Sequence, residues 1–318
     1  MSARNVFGTG AARIDLAVPA DLPFPRRRKL RRLGRKLYPY LFLIPTAALL
    51  AGIYLYPLCE LVRTSLYDAH TMAGMRQFIG LANYRRVISG DLLDILWKTL
   101  VWAGISTPAA MVLGLSGALL LNHDFRGKNF LKLMAFVPWT IPHAMIAIFW
   151  KWLIHPYYGM ANHLLLSLHF VDAPINFLAV KTALLTATGM RVWKGAPFAL
   201  ITLLAALQTI PREMYEAAEV DGAGPVRTFL SITFPMIRGI FLTTSLMITI
   251  WAVVTFDMLW VLTEGGPLGA TEILPIAIYR RAFLLYRAGE ACALGVIGMA
   301  LVALLGVLYF FALKGAKE

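Results

Sequence analysis

Three groups of residues in this 318-residue chain have types and spacing that could do chemistry. In the first, Gly114-Leu115-Ser116-Gly117 sets a serine among small residues, and His143 lies in the next apolar stretch. A hydroxyl activated by an imidazole base is a nucleophile. In the second, Arg191 and Lys194 flank Trp193, and Asp257 follows further on, all inside apolar sequence. A charge in hydrocarbon costs roughly 2.5–3.5 kcal/mol on insertion scales, so each invites a functional explanation. For Asp257, pairing with a basic residue as structural glue is as good a reading as ligand binding. For Arg191 and Lys194 the readings are a helix break or a cavity lining. The third group is the stretch 208–235, where carboxylates, paired alanines, glycines and prolines follow one another unlike ordinary connecting sequence.

Other chemistry finds no support. The chain has no Gly-x-x-x-x-Gly-Lys-Ser/Thr phosphate loop, so hydrolysis of ATP is not expected of it. Cys59 and Cys292 lack metal-type spacing and read as small buried apolar side chains. No metal site and no catalytic residue is assigned.

The elements that must position these residues are membrane helices. Apolar residues make up 59% of the chain and charged residues 15%, with a mean hydropathy of +0.67. That is more apolar surface than one or two soluble cores can hide, so the excess must face lipid. Six stretches are long enough to cross a bilayer, near 38–66, 94–121, 131–153, 178–208, 238–262 and 289–313. Pro45, Pro57, Pro108, Pro138, Pro142 and Pro197 fall inside them and predict kinks. The stretch 78–93 predicts a short amphipathic helix at the outer interface, and Pro156–Asn162 an outer turn.

The net charge of +13 sits mostly in tails and loops. That is the pattern of the positive-inside rule rather than of a nucleic-acid surface. Residues 1–37 form a polar tail ending in a basic run from Arg26 to Lys36, which reads as a cytoplasmic anchor on anionic lipid and not as a cleaved signal peptide. That run together with Arg126, Lys128, Lys132, Arg212, Arg227, Arg238, Lys314 and Lys317 outweighs the outer Arg76, Arg85, Arg86, Lys181, Arg280, Arg281 and Arg287, which favours both termini in the cytoplasm.

Within 208–235, Pro211 suits the first turn of a helix, and Glu213 and Glu216 complement its dipole. Ala217 and Ala218 leave a smooth face that another protein can approach, and Gly222 ends the helix. Val226–Ile232 resumes as an amphipathic lead-in, with Pro235 at the entry to the fifth span. Glu216-Ala217-Ala218, Gly222, Ile232, Phe234 and Pro235 resemble the EAA loop of the membrane subunits of binding-protein-dependent ABC importers, with Phe234 in place of the usual leucine.

The resemblance extends over nearly the whole chain after residue 38. Gly80–Tyr84, Gly159–Asn162 with Leu165, Ala206–Pro211, and Phe256-Asp257 followed by Leu262–Pro267, Thr271, Tyr279 and Phe283 are similar to the sugar-permease branch. The last of these, at the exit of the fifth span, resembles maltose- and glycerol-phosphate-type first permease subunits, and without a large periplasmic insertion the chain looks like their compact six-span form.

The fold implied is an all-α membrane protein of the type I importer kind, six spans over 38–318 with a coupling loop at 208–235. The implied coupling residues are Glu216, Ala217, Ala218, Asp221 and Gly222, seated in a cleft of a separate ATPase dimer that binds the ATP and Mg. Asp257, Trp193, Arg191, Trp139 and Trp260 are candidates for the solute path, since tryptophans can stack on sugar rings. Glu264, Gly265, Gly266 and Pro267, a flexible turn by composition, are candidates for contact with an extracytoplasmic solute-binding protein. A second, homologous permease would supply the other half of the path, in the bacterial inner membrane.

Two other classes compete. The Gly-x-Ser-Gly pattern with His143 resembles a rhomboid intramembrane protease, but the surrounding order does not match, and small residues commonly serve close helix packing. A secondary transporter working without ATP would be expected to show inverted repeats, and none is visible.

Overall fold

The structure, a computed structural model, describes residues 42–315. The basic tail, residues 1–37, therefore lies outside the described residues. The chain divides into two compact units, one up to Leu58 and one from Cys59 onward. The described part of the first is exposed apolar helix belonging to α1, Phe42–Ser65, which passes through a π-helical turn at Ala51–Leu55.

The second unit carries the rest. A hairpin, β1 (Tyr67–His70) with β2 (Gly74–Phe78), leads into α2, Ala82–Ser89. The long helix α3, Leu92–Asn122, follows. Then come α4 (Lys128–Thr140), α5 (His143–Leu153), α6 (Met160–Ser167) and α7 (Ala183–Leu207). The surface helix α8 is Arg212–Val220, and α9 runs from Pro225 to Val254. Short helices α10 (Asp257–Thr263) and α11 (Leu274–Tyr279) precede the last span, α12, Ala288–Lys314. Among the described residues, five helices are long and apolar enough to cross a membrane, or six if the bent pair α4–α5 is one span.

Close approach of α3 and α7 makes the central seam. A Cβ on Gly114 would stand 2.4 Å from the Ala199 Cβ and 2.8 Å from the Leu200 backbone nitrogen, and one on Gly117 would meet Leu200 at 2.6 Å. Gly114 thus lets the helix backbones touch, and Gly117 makes room for the Leu200 side chain, the small-residue packing membranes favour. Ser116 is exposed between them. A second core gathers Trp102, Ile146, Met190, Met258, Leu259 and Ile273, where the Trp102 indole donates to the Ala252 carbonyl at 3.0 Å.

Several expectations are refined. The third span is not one helix: α4 and α5 meet at 98°. Pro142 has no N–H to give and forces extended backbone on Ile141, with φ −76° and ψ 133°, so the helix must stop there. The fifth span breaks after Val254, where Thr255 is extended, and Asp257 opens the separate helix α10 instead of lying within a continuous span. The interfacial stretch carries its short helix at Ala82–Ser89, and only its first residue, Phe78, belongs to the hairpin before it. Neither cysteine is fully buried: Cys59 is exposed and Cys292 half-buried.

Candidate functional site

Both helix breaks open on one cavity of about 500 Å³, lined by Trp139, His143, Arg191, Lys194, Phe198, Trp251, Thr255 and Asp257 among others. A volume of this size holds a small organic solute. Its walls combine an aromatic side with a polar end. Trp139 stacks on Phe198 with centroids 6.0 Å apart, and Phe198 meets Trp251 at 4.8 Å.

The polar end is built from α7. Arg191 and Lys194, three residues apart on one helix face, are both 7% exposed and each reaches one break. Lys194 Nζ donates to the carbonyls of Trp139 at 3.1 Å and Ile141, at the open C-terminal end of α4. A cation there complements the helix dipole and satisfies carbonyls that the bend leaves without partners. Arg191 donates to the Ile248 carbonyl at 3.0 Å and to Thr255 Oγ1 at 3.2 Å, at the end of α9, with its guanidinium 5.7 Å from the Trp102 ring centre. Its Nε is buried without a hydrogen-bond partner among the described residues. Asp257 lies 3.3 Å from His143 Nδ1 and joins α10 to α5.

Of the five path candidates, Trp139, Arg191 and Asp257 line this cavity. Trp193 points elsewhere, half-exposed and edge-on to Trp150 at 5.8 Å. Trp260 sits in an aromatic cluster with Phe256 and Tyr279, at 5.4 and 4.6 Å. Lys194 and Trp251 stand out in the sequence as intramembrane polar and aromatic residues, while His143 enters there only as the base of the rejected protease pattern. Its actual neighbour is Asp257.

At the far end of the spans, α8 presents Glu213, Glu216, Ala217, Glu219 and Asp221 to solvent, with Ala218 buried beneath. Gly222, at φ +73°, and Ala223 close the helix: the Gly222 N–H donates to Glu219 O at 3.0 Å and the Ala223 N–H to Ala218 O at 2.9 Å. Both bonds of a Schellman motif are present, which is why glycine stands there. Tyr215 ties the helix to α9 through Thr233, 3.2 Å away. Beside it in the α3–α4 loop, Lys128 chiefly, with Arg212 of α8 adding to it, holds the Asp124 carboxyl below the usual carboxylate range.

At the opposite end the Glu264–Pro267 turn is stapled rather than flexible. Thr271 Oγ1 bonds Thr263 Oγ1 at 2.6 Å and the Gly266 carbonyl at 2.9 Å, and Arg280 bonds the Glu264 carbonyl at 3.2 Å. Gly265, at φ +87°, is buried against Ile276, where a Cβ would stand 2.9 Å from Cγ2. Glu264 and Leu268 remain exposed at the tip.

A multi-span helical protein with a solute-sized cavity at midspan breaks and a capped surface helix is built as a transport component. The chain belongs to the family of binding-protein-dependent transport system inner membrane components, whose model matches residues 106–316. It is 34% identical over 279 residues to a sulfoquinovosyl glycerol transport system permease of Agrobacterium fabrum, covering 87% of this chain and 90% of that protein. It is 32% identical over 275 residues to a trehalose/maltose transport system permease of Thermococcus litoralis, covering 85% of this chain and 91% of that one. A solved chain of a bacterial ABC transporter involved in the import of the acidic polysaccharide alginate shares the fold, with a TM-score of 0.78 at 20% identity over 92% of this chain and all of that one.

Proposed function

We propose that this chain is the transmembrane permease subunit of an ATP-driven importer for a sugar or sugar derivative, providing half of the pathway beside a second, homologous permease. Its carrying observation is α8, a short helix whose acidic and small residues face outward while Ala218 and Tyr215 fasten it to the spans. A helix held so firmly can pass movement from a separate ATPase dimer into the bundle. Glu216, Ala217, Asp221 and Gly222 form the contact; Ala218, expected with them, is buried beneath and holds the helix to the spans instead, and ATP and Mg belong to the partner. The similarity to permeases named for sulfoquinovosyl glycerol and for trehalose and maltose supports the solute class. The orientation has both termini in the cytoplasm of a bacterial cell, α8 inside, and the Glu264–Pro267 turn outside, where a solute-binding protein docks. Transport follows alternating access: ATP binding closes the ATPase dimer, and the breaks around Arg191 and Lys194 let the cavity open outward, then inward after hydrolysis.

The test is ATPase activity and uptake by the reconstituted complex with loaded binding protein. Wild type is stimulated by the loaded binding protein, whereas Glu216→Lys hydrolyses ATP without uptake or fails to retain the ATPase. An unaffected Glu216→Lys complex would show that α8 does not couple.

A further inference from the structure

The geometry points to a solute bearing an anionic group, a sulfonate, phosphate or carboxylate on a sugar-sized body, as the occupant of the cavity at the two helix breaks. This rests on the permease reading and names its solute class.

The inference starts from charge. Arg191 and Lys194 are both more than nine-tenths buried, and both line the cavity. Their hydrogen-bond partners are carbonyls and one hydroxyl. Such dipoles orient a cation but leave its unit charge uncancelled. The cavity has a single carboxylate, Asp257, and its ion-pair neighbour is His143 at 3.3 Å, with neither Arg191 nor Lys194 within salt-bridge distance. Two cations therefore face one carboxylate, whose charge acts on Lys194, and one positive charge is left unmatched. In a low-dielectric setting an unmatched charge of this kind is costly, and a bound anion relieves it.

Arg191 also holds unused donors. Its Nε is buried and without a partner among the described residues. Of its five N–H groups only one on each terminal nitrogen is bonded there, to Thr255 Oγ1 and to the Ile248 carbonyl, so each terminal nitrogen keeps a second donor. A guanidinium with an open N–H suits an oxyanion, which accepts charge-assisted hydrogen bonds. The rest of the lining completes the match: Trp139, Phe198 and Trp251 supply aromatic surface for the apolar side of a sugar ring, beside the two cations.

The experiment uses the complete transporter in liposomes with its binding protein. Uptake is measured for methyl glucoside, its 6-sulfonate, 6-phosphate and uronate counterparts, and a neutral disaccharide and polyol. At least one anionic form is expected to exceed every neutral solute by about tenfold, and Arg191→Gln to remove that margin while Arg191→Lys keeps most of it. The three anionic arms tell sulfonate, phosphate and carboxylate apart. If a neutral solute leads, or no anionic form is taken up by a complex that retains its ATPase, the importer stands and the anionic assignment falls. It falls equally if Arg191→Gln lowers neutral and anionic uptake in the same proportion, because Arg191 then serves the helix break alone. A purified complex without any ATPase removes the permease reading itself.

Discussion

At the scale of residues, the polar groups that stand out most in the sequence serve backbone carbonyls. Asn83 donates to Ser65 O at 2.9 Å and Tyr67 O at 2.8 Å, so it fastens α2 to the end of α1 and the start of the hairpin. Gly289 lies under it, where a Cβ would stand 2.6 Å from both the Asn83 amide nitrogen and Tyr67 O. Asn162 does the same for the outer loop, exchanging two bonds of 2.9 Å with Ile175. Asn83→Ala strands buried carbonyls, a loss of about 1–3 kcal/mol. Thermal unfolding of the detergent-purified complex should show a clear drop in Tm for Asn83→Ala, with uptake by the surviving folded fraction unchanged. A drop in uptake at unchanged stability would place Asn83 in transport instead.

At the scale of elements, legibility follows how local the cause is. The α8 segment could be read from sequence because everything that makes it is contiguous: Pro211 at its start, Ala217 and Ala218 inside, Gly222 in the left-handed region at its end. The cavity was legible only in parts. Trp139, Arg191 and Asp257 announce themselves as aromatic or charged residues in apolar sequence, yet what Lys194 binds is the carbonyls of residues 138–141, and carbonyls leave no mark on a sequence. Nor does Pro142 say whether it kinks a span or folds it back through 98°. The Gly114–Gly117 motif shows the converse, a pattern that suggested nucleophile chemistry and is explained by packing. Gly114→Leu must push α3 away from Ala199 and Leu200, with a cost well above the ~1–3 kcal/mol of ordinary overpacking because backbone atoms are in the way. The expected outcome is loss of assembled complex on size-exclusion chromatography. Ser116→Ala, on the exposed side, should assemble and transport like wild type. Inactivity of a well-folded Ser116→Ala protein would reopen the hydroxyl chemistry.

At the scale of the molecule, the two breaks and the two cations define parts that can move together. Both Arg191 and Lys194 issue from α7, whose seam with α3 is closed by Gly114 and Gly117, so α3 and α7 form a stiff spine. The segments after the breaks, α5 and α10, pack on each other and are joined by His143 and Asp257. Hinge motions concentrate in a few residues at element ends, and Ile141, Pro142 and Thr255 are the residues that leave helical geometry at the two breaks. Alternating access therefore predicts that α5 and α10 swing as one body against α4 and the spine. Paired spin labels at Trp152→Cys on α5 and Glu264→Cys just past α10, in a background with Cys59 and Cys292 replaced by serine, should keep one distance distribution through the ATP cycle. A pair at Trp152→Cys and Leu133→Cys on α4 should shift between the nucleotide-free and ATP-trapped complexes. Adding Asp257→Asn weakens the joint between α5 and α10 and should broaden the first distribution. If the first pair moves as much as the second in otherwise unaltered protein, α5 and α10 move independently and the His143–Asp257 contact is not the joint.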